Sequence, residues 1–409
     1  MTADAPSTEE RVPFHGALFE QDPSTLYAEM RRRHGPVVPV LLDGDLPAWL
    51  VVGYREVHQV TEDDELFARD TRRWNQWEHV PEDWPLLPYV VHNPSVMFTE
   101  GDEHRRRAGA IGDALSAVDQ FDLRLHCERI ADRLVDGFAG SGEADLMAQF
   151  AQQIPLLAVA KLFGMPEAEA PQLVRDVAIS LDVGPDAIPA YMRVQESMAR
   201  LVAEKHRNPG SDVPSHLLSH PSGLTDEEVV QDLLVVTAAA QQPTANWIGN
   251  TVRLMLTDDR FSMTLTGGRG SVGQALNEVL WHDTPTQNFI GRFAVRDTLL
   301  AGRRIRAGDM LVLGLAAANA DPHGSLSLDA DLMGNRAHLS FGHGEHGCPF
   351  PAPEVAEIIA GATVEVLLDR LPDLALSVPA ESLVWRPSLW MRGLEALPVA
   401  FTPAYVSGV

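Results

Sequence analysis

The stretch HLSFGHGEHGCPFPAPEVAEIIAG (338–361) decides how this sequence is interpreted. Cys348 stands at the end of a glycine-rich loop and just before a predicted helix. Gly342, Gly344 and Gly347 let the backbone turn tightly and come close to a flat ligand. Backbone N–H groups of such a loop, with a helix N-terminus beyond, stabilise a thiolate. A thiolate in this position suits the axial ligand of a haem iron.

Spacing alone leaves two other interpretations of this loop open. His343, His346 and Cys348 could bind zinc, although no second cluster of Cys or His completes four ligands. Cys348 could also be a buried, inert thiol.

Composition sets the class of protein. The chain has 409 residues, with 57 Asp+Glu against 32 Lys+Arg, so the formal charge is −25. Hydrophobic residues make up 45%, which excludes a disordered chain. Two cysteines exclude a disulfide framework and fit a reducing compartment, so we expect a cytoplasmic protein. The charge argues against nucleic-acid binding, and we expect neither a signal peptide nor a membrane span.

Outward from the loop, the pattern predicts a mostly helical chain. Thr225 and Glu228 have the spacing of a capping box at the start of a helix over 224–256, which is apolar nearly all round and therefore central. The other predicted elements are a helix from Pro23, a β-hairpin (37–42 and 48–54), a loop with short helical pieces (74–92), helices over 103–256, short strands after 296, a helix after Cys348 and a β-rich tail to 402.

The loop resembles the cysteine-ligand segment of cytochromes P450, Phe-Gly-x-Gly-x-His-x-Cys-x-Gly. Phe350 replaces the last glycine, and the matching residues are Phe341, Gly342, Gly344, His346 and Cys348. GDEHRRRA (101–108), residues 291–322 and RGLEALPVAF (392–401) resemble further parts of the family. The resemblance implies a mainly α fold with small β-sheets (α+β) in a single P450 domain over 1–409. A haem would lie buried between a long central helix and the Cys-ligand loop.

The same resemblance implies haem b as the cofactor. Cys348 would be the metal ligand, Phe341 would belong to the haem-binding loop, and His104, Arg292 and His346 would hold the propionates. Two buried negative charges need cationic or donor partners. The family's arginine one turn after His104 is Ala108 here, so we expect Arg107 to substitute for it.

One departure from the family lies on a helix that usually reads Glu-x-x-Arg. Here Glu278 is kept and the arginine is Trp281. A buried unpaired carboxylate is costly, so we expect Glu278 to pair with Arg296 or Arg336.

A second departure is AAQQPTAN (239–246) in the central helix. Where the family has an acid followed by an alcohol, this chain has Gln242 and Pro243. We take Gln242 and Thr244 as the catalytic candidates. Pro243 should open the helix by freeing a carbonyl. Proton delivery would come from ordered water, from Thr244 or from a polar group of the substrate.

The family's substrate pocket corresponds here to four segments rich in aromatic and amide side chains, which suit a flat, amide-bearing aromatic substrate. The candidate substrate residues are Trp74, Trp77, Leu86, Ala239, Gln287, Asn288, Phe289, Ser388 and Trp390. Together the two departures resemble P450s of secondary metabolism that act on tryptophan-containing diketopiperazines. We therefore expect oxidation of an aromatic diketopiperazine, with radical C–C or C–N coupling as one outcome. The alternatives are a hydroxylase of another natural product, a peroxide-using haem enzyme and a non-catalytic haem-binding protein.

The resemblance implies a ferredoxin and an NAD(P)H-dependent ferredoxin reductase as partners, besides the small-molecule substrate. The run Arg105–Arg107 is either a solvated helix face or a docking site for an acidic ferredoxin. GGRGSVG (267–273) contains a Gly-x-Gly-x-x-Gly run, but it lacks the flanking strand of a dinucleotide site and aligns with a connecting loop of the family.

Overall fold

A computed structural model describes residues 11–19, 23–181, 186–262, 270–323 and 334–404. Its α-helices are α1 (Pro23–His34), α2 (Tyr54–Glu62), α3 (Leu87–Val90), α4 (Gly101–Ser116), α5 (Gln120–Phe138), α6 (Ile154–Leu162), α7 (Ala170–Leu181), α8 (Ala187–Arg207), α9 (Val213–Ser219), α10 (Asp226–Thr257), α11 (Asp259–Ser262), α12 (Gly270–His282), α13 (Leu315–Asn319) and α14 (Ala352–Arg370). Its strands are β1 (Val12–Pro13), β2 (Val37–Leu42), β3 (Leu46–Val51), β4 (Phe67–Ala68), β5 (Glu143–Asp145), β6 (Phe289–Ala294), β7 (Thr298–Leu300), β8 (Arg303–Ile305), β9 (Met310–Leu313), β10 (Ala375–Leu376) and β11 (Pro398–Ala400). The predicted class, mainly helical with small sheets, is confirmed.

The chain divides into two compact units. Unit 1 comprises residues 1–105, 277–348 and 385–392, and unit 2 comprises residues 106–276, 349–384 and 393–409. The expectation of one domain over 1–409 stays a prediction.

Unit 1 is built on a six-stranded sheet in the order β1-β2-β3-β9-β6-β4. The predicted hairpin is confirmed: β2 and β3 pair antiparallel from Val37 with Val51 to Leu42 with Leu46. Gly44 turns the connection in the left-handed region, at φ 75°, where glycine meets no steric penalty. The last predicted strand residue, Tyr54, instead begins α2. Buried side chains of the sheet pack with the tryptophans Trp74, Trp84 and Trp390 in one core cluster.

Unit 2 is helical, and α10 packs there against α6, α8 and α14. The predicted capping box is present: Thr225 Oγ1 accepts from the Glu228 N–H at 3.2 Å, and Glu228 Oε2 accepts from the Thr225 N–H at 2.8 Å. The expected opening at Pro243 is wrong, because α10 continues through it from Asp226 to Thr257. An unbroken run of buried residues from Thr244 to Val252 holds the second half of the helix in place.

The structure also differs from two further predictions, the β-rich tail and the loop at the glycine run (267–273). The tail is not rich in strands, since among the described residues after 371 only β10 and β11 are strands. Of the glycine run, residues 267–269 lie outside the described residues, and 270–273 begin α12 rather than a loop. Among the described helices none is long and apolar enough to cross a membrane.

Candidate active site

Tight backbone turns shape the loop that ends at Cys348. The Cys348 N–H donates to the Phe341 carbonyl at 2.8 Å, and the Gly347 N–H donates to the Gly344 carbonyl at 3.0 Å. Gly342 and Gly344 have φ of 74° and 75°, a region that side chains rarely adopt. A Cβ on Gly344 would lie 2.0 Å from the carbonyl oxygen of Thr61, so glycine lets the loop lie flat against the end of α2.

The Cys348 thiol is accessible at the end of this loop. Surrounding protein atoms nevertheless desolvate it and raise its pKa to about 12. The free side chain is therefore a thiol at neutral pH, and coordination to a metal ion would remove its proton. Because the side chain is accessible, the interpretation as a buried inert thiol is wrong for Cys348; Cys127, which is fully buried, has that character.

The three-ligand zinc site is also wrong. Among the described residues, His343 and His346 belong to two different groups of potential metal ligands, and neither group includes Cys348. Cys348 is therefore left to act as a ligand without protein co-ligands, as an axial haem ligand does.

Arg292 lies on β6 and is 2% exposed. Its Nε and Nη2 are buried and have no hydrogen-bond partner in the described structure. The nearest paired carboxylate oxygen, Asp64 Oδ1, is 3.8 Å from Nη2. Burial lowers the pKa of Arg292 to about 10, so the guanidinium remains charged at neutral pH. Two charged donors are thus buried without acceptors.

His346 and His104 stack with ring centroids 3.8 Å apart. Nδ1 of His346 is buried without a hydrogen-bond partner. Burial first, and then the charge of Arg292, lower the pKa of His346, so its ring is neutral. His104 differs, because Nδ1 lies 3.2 Å from the Val96 carbonyl and Nε2 lies 3.2 Å from the Glu345 carbonyl.

Sequence reasoning missed Arg69, which is 3% exposed. Its Nε donates to the Met97 carbonyl at 3.1 Å, and Nη1 donates to the carbonyls of Ile290 and Gly291. Burial, with the charge of Arg292 next in size, lowers the pKa of Arg69 to about 9. The only sequence signal was its place directly after the short strand β4, since nothing else separates it from the exposed Arg72 and Arg73.

These groups fit the propionates that the sequence implied. The buried guanidinium groups of Arg69 and Arg292 lie near two carboxylates, those of Asp64 and Glu100, and both carboxylates are partly exposed. Uncompensated buried charge and unpaired donors are costly. A ligand with two carboxylates would supply the missing acceptors, and Arg292 and His346 hold the free donors. His104 could bind such a group only by exchanging its contact with the Glu345 carbonyl.

Trp281 and Arg107 both make specific contacts in the structure. Trp281 Nε1 donates to the Asn335 carbonyl at 3.0 Å, and its ring meets His338 edge-on. The indole therefore links α12 to the segment at Asn335. The expected substitution by Arg107 is wrong, because Arg107 forms a fully buried ion pair with Asp232.

The candidate substrate residues of unit 1 are mostly engaged with protein. Trp74, Leu86 and Trp390 belong to the core cluster, and Trp77 packs against it. Gln287 Nε2 donates to the Ser388 carbonyl at 2.7 Å, and Asn288 Nδ2 donates to the Leu389 carbonyl at 2.8 Å. Ser388 Oγ accepts from the Met391 N–H at 3.0 Å. These polar side chains join the segments 284–289 and 385–391.

Some of these polar atoms remain unsatisfied. Trp390 Nε1 and Gln287 Oε1 are buried and have no hydrogen-bond partner among the described residues. Phe289 differs from the others, since it is partly exposed under the guanidinium of Arg69, 5.0 Å from the ring centroid.

In unit 2, the catalytic candidates lie near the middle of α10. Thr244 is buried and Gln242 is partly exposed. Ala239 is exposed although Leu233 and Leu234 before it are buried.

The arginine run carries less free charge than the sequence suggests. Arg105 donates to Asp102 and Glu345, and Arg106 donates to Glu228. Arg107 is buried with Asp232. Each arginine thus has a carboxylate partner, so the run neither forms a purely solvated face nor offers an uncompensated basic patch to an acidic protein.

Comparison with known proteins agrees with this chemistry. No family model matches the chain. The cytochrome P450 monooxygenase PikC of Streptomyces venezuelae is 31% identical over 404 residues, 94% of this chain and 92% of that protein. The vitamin D(3) 25-hydroxylase of Pseudonocardia autotrophica is 29% identical over 98% of this chain and 99% of that protein.

Solved structures share the fold. CYP154C4 from a Streptomyces species superposes with a TM-score of 0.83 at 27% identity, covering 97% of this chain and 99% of that one. The P450 enzyme CxnD, described for C–S bond formation in chuangxinmycin biosynthesis, superposes with a TM-score of 0.81 at 26% identity. The match covers 98% of this chain and 100% of CxnD. Together with the Cys348 loop, these likenesses show that the chain is an oxidase of the cytochrome P450 superfamily, which binds haem b through a thiolate.

Proposed function

We propose that this P450 serves secondary metabolism by oxidising an aromatic diketopiperazine, with radical C–C or C–N coupling of two such molecules as the product-forming step. When bound, the haem supplies one-electron and oxygen chemistry. Cys348 would hold its iron, Phe341 would close the loop, and Arg292, His346 and His104 would hold its propionates.

The observation that carries the substrate class is the pair of unsatisfied atoms on Gln287 and Trp390. One is a hydrogen-bond acceptor, Gln287 Oε1, and the other is a donor, Trp390 Nε1. Leaving such groups buried and unpaired costs about 1–3 kcal/mol each. A diketopiperazine amide offers one N–H and one C=O, which match this acceptor and this donor.

The aromatic side chains around them support a flat substrate. Tyr89 is half exposed, and its ring lies 6.0 Å from that of Trp390. Trp74 contacts Trp77 edge-on at 5.3 Å. Aromatic groups of this kind bind planar ligands through offset or edge-to-face contacts. Trp74, Trp77, Leu86, Phe289, Asn288 and Ser388 would shape this wall. Ala239 on α10 is a further proposed substrate residue.

Gln242 and Thr244 would handle protons in an unusual way. The amide of Gln242 can orient water but releases no proton near neutral pH, and Pro243 has neither hydroxyl nor N–H. Thr244 keeps a hydroxyl but is buried. A substrate N–H would add a proton source to ordered water and the Thr244 hydroxyl. Electrons would come from a ferredoxin and its NAD(P)H-dependent reductase.

A binding titration of the haem-loaded protein tests this function. Cyclic dipeptides of tryptophan, with and without N-methylation, are added while the Soret band is followed. We expect saturable shifts with the unmethylated compounds. Methylation removes the ligand N–H that would donate to Gln287 Oε1, and Trp390→Phe removes the indole N–H that would donate to the ligand carbonyl, so each change should weaken binding roughly 10-fold.

Trp84→Phe is the matched control, because Trp84 Nε1 already donates to the Asp43 carbonyl at 2.7 Å. It should lose stability without losing affinity. Absence of any shift, or equal affinity of Trp390→Phe and the parent protein, would refute the substrate class. Turnover with ferredoxin and reductase then separates coupling from hydroxylation by the mass of the product. Turnover with peroxide alone would identify a peroxide-using haem enzyme. No turnover under either condition would identify a non-catalytic haem-binding protein.

A further inference from the structure

A second group of potential metal ligands lies beside the Cys348 loop, on its outer side. His58 and Glu62 are one turn apart on α2, and His343 comes from the loop between its two left-handed glycines. Their ligand atoms all lie within 4.8 Å of one another. Glu62 Oε1 is 3.9 Å from Nδ1 of His58 and 4.0 Å from Nε2 of His343. Among the described residues, this group is separate from the other group of potential metal ligands, which contains His346.

The hydrogen bonds of Thr61 orient the His343 ring. Thr61 has one hydroxyl proton, and Thr61 Oγ1 donates it to the Val57 carbonyl at 2.8 Å, with the His58 carbonyl at 3.1 Å. With this proton directed to the Val57 carbonyl, the oxygen is an acceptor for His343 Nδ1, 3.2 Å away. The proton of the neutral ring then sits on Nδ1, and Nε2 presents its lone pair to Glu62. Metal-binding histidines are usually fixed by such a bond from the opposite nitrogen.

The two imidazoles lie close together, with centroids 3.8 Å apart. The backbone beneath them is in close contact, since Gly344 touches the Thr61 carbonyl. The site is therefore held by both α2 and the loop. Glu62 is 65% exposed and free to close the remaining distance.

We propose that His58, Glu62 and His343 bind a divalent transition metal ion of the zinc class and so fasten the Cys348 loop to α2. Two imidazoles and one carboxylate suit zinc, nickel, copper or ferrous iron and leave positions open for water. Magnesium and calcium prefer sets of oxygen ligands, and the two imidazoles select against them. A groove of about 1190 Å³ that includes His58 and Glu62 also contains five further carboxylates, from Asp63, Asp64, Glu65, Glu100 and Glu345, which would attract cations.

Calorimetric titration of the haem-loaded protein with Zn²⁺ tests the site, with the melting temperature as a second readout. We expect one tight equivalent and a melting temperature raised by bound metal. His58→Gln and Glu62→Gln should each weaken the tight equivalent at least 10-fold and abolish the rise. Thr61→Val should weaken it about 10-fold, since it keeps all three ligands but removes the hydroxyl that orients His343.

Glu65→Gln is the control for charge, because Glu65 lies on the same acidic surface and is exposed. His79→Ala is the control for an exposed histidine elsewhere in unit 1. Both should bind zinc as the parent protein does, and an unchanged Soret band confirms that each variant retains haem. Equal weakening by Glu62→Gln and Glu65→Gln, or displacement of zinc by an equal concentration of Mg²⁺, would mean diffuse attraction by the acidic surface and would overturn the proposal.

Discussion

At the residue scale, the buried side chain of Arg292 should lower the stability of the haem-free chain. Among the described residues, two of its guanidinium nitrogens are buried and have no hydrogen-bond partner. Arg292→Leu removes that cost, so we expect the haem-free chain to gain about 1–3 kcal/mol in free energy of unfolding. The haem-loaded variant should instead release haem faster. Chemical denaturation and haem-transfer rates measure the two effects.

Arg296→Leu serves as the control, because Arg296 is exposed and should change neither quantity. If Arg292→Leu destabilised the haem-free chain, its buried donors would have partners in solution, and the propionate assignment would lose its support.

Glu228, at the start of α10, makes a pH-dependent contribution to the free energy of unfolding. Its hydrogen bond with Arg106, above all, lowers its pKa to about 2 from an ordinary 4.5. The folded-state pKa lies below the unfolded one, so the stabilisation is present above about pH 4.5 and is lost as the pH falls towards 2. Glu228→Gln should therefore lose about 1 kcal/mol at pH 7, for a partly exposed pair, and much less at pH 2.5.

Denaturant titrations at several pH values provide the measurement. Glu227→Gln is the control, since Glu227 is exposed on the next position of the same helical turn. A pH-independent loss in Glu228→Gln would show that the capping bond to Thr225, rather than the ion pair, accounts for the effect.

At the scale of elements, one buried ion pair joins α4 to α10. Arg107 Nε and Asp232 Oδ2 are 3.0 Å apart, and both side chains are at most 1% exposed. Arg107→Met removes the arginine partner of a buried carboxylate, so we expect a loss of about 3–5 kcal/mol in free energy of unfolding.

The double variant Arg107→Met with Asp232→Leu should recover most of that loss, because a well-packed apolar pair often equals a buried ion pair. Equilibrium unfolding of both variants measures the difference. If the double variant were as unstable as the single one, the loss would come from disturbed packing and not from the buried charge of Asp232.

Pro243 is a second test at this scale. It removes the N–H that the Ala239 carbonyl would accept in a regular helix, yet α10 continues through it. Pro243→Ala should restore that bond and stabilise the protein by up to about 3 kcal/mol, the intrinsic difference between the two residues. Thermal unfolding measures it. No gain would show that the Ala239 carbonyl is already satisfied, for example by water.

At the scale of the whole molecule, the formal charge of −25 should make stability depend on salt. Like charges repel in the compact state, and the screening length falls from about 30 Å at 0.01 M to about 8 Å at 0.15 M ionic strength. We expect the melting temperature to rise by a few degrees between these conditions, since about 1 kcal/mol shifts a large chain by only a few degrees. A fall would mean that attractive ion pairs, such as those of Arg105 and Arg106, outweigh the repulsion.

Local chemistry made several elements predictable. The hairpin with its Asp-Gly-Asp turn, the capping box of Thr225 and Glu228, and the glycine loop before Cys348 depend on residues close in sequence, and all three are present. Pro243 shows the limit of local reasoning. Its cost as a helix breaker is a few kcal/mol, and burial of the residues around it outweighs that cost.

The fold class and the likeness around Cys348 follow from the amino-acid sequence, because both depend on short-range patterns of glycine, cysteine and apolar residues. The contacts between polar groups follow from the packing of the chain. This packing buried Arg69 beside Arg292, paired Arg107 with Asp232 and brought His343 onto His58 and Glu62. These contacts depend on how segments that are distant in sequence pack against each other. No local sequence pattern encodes which charged group will lack a partner.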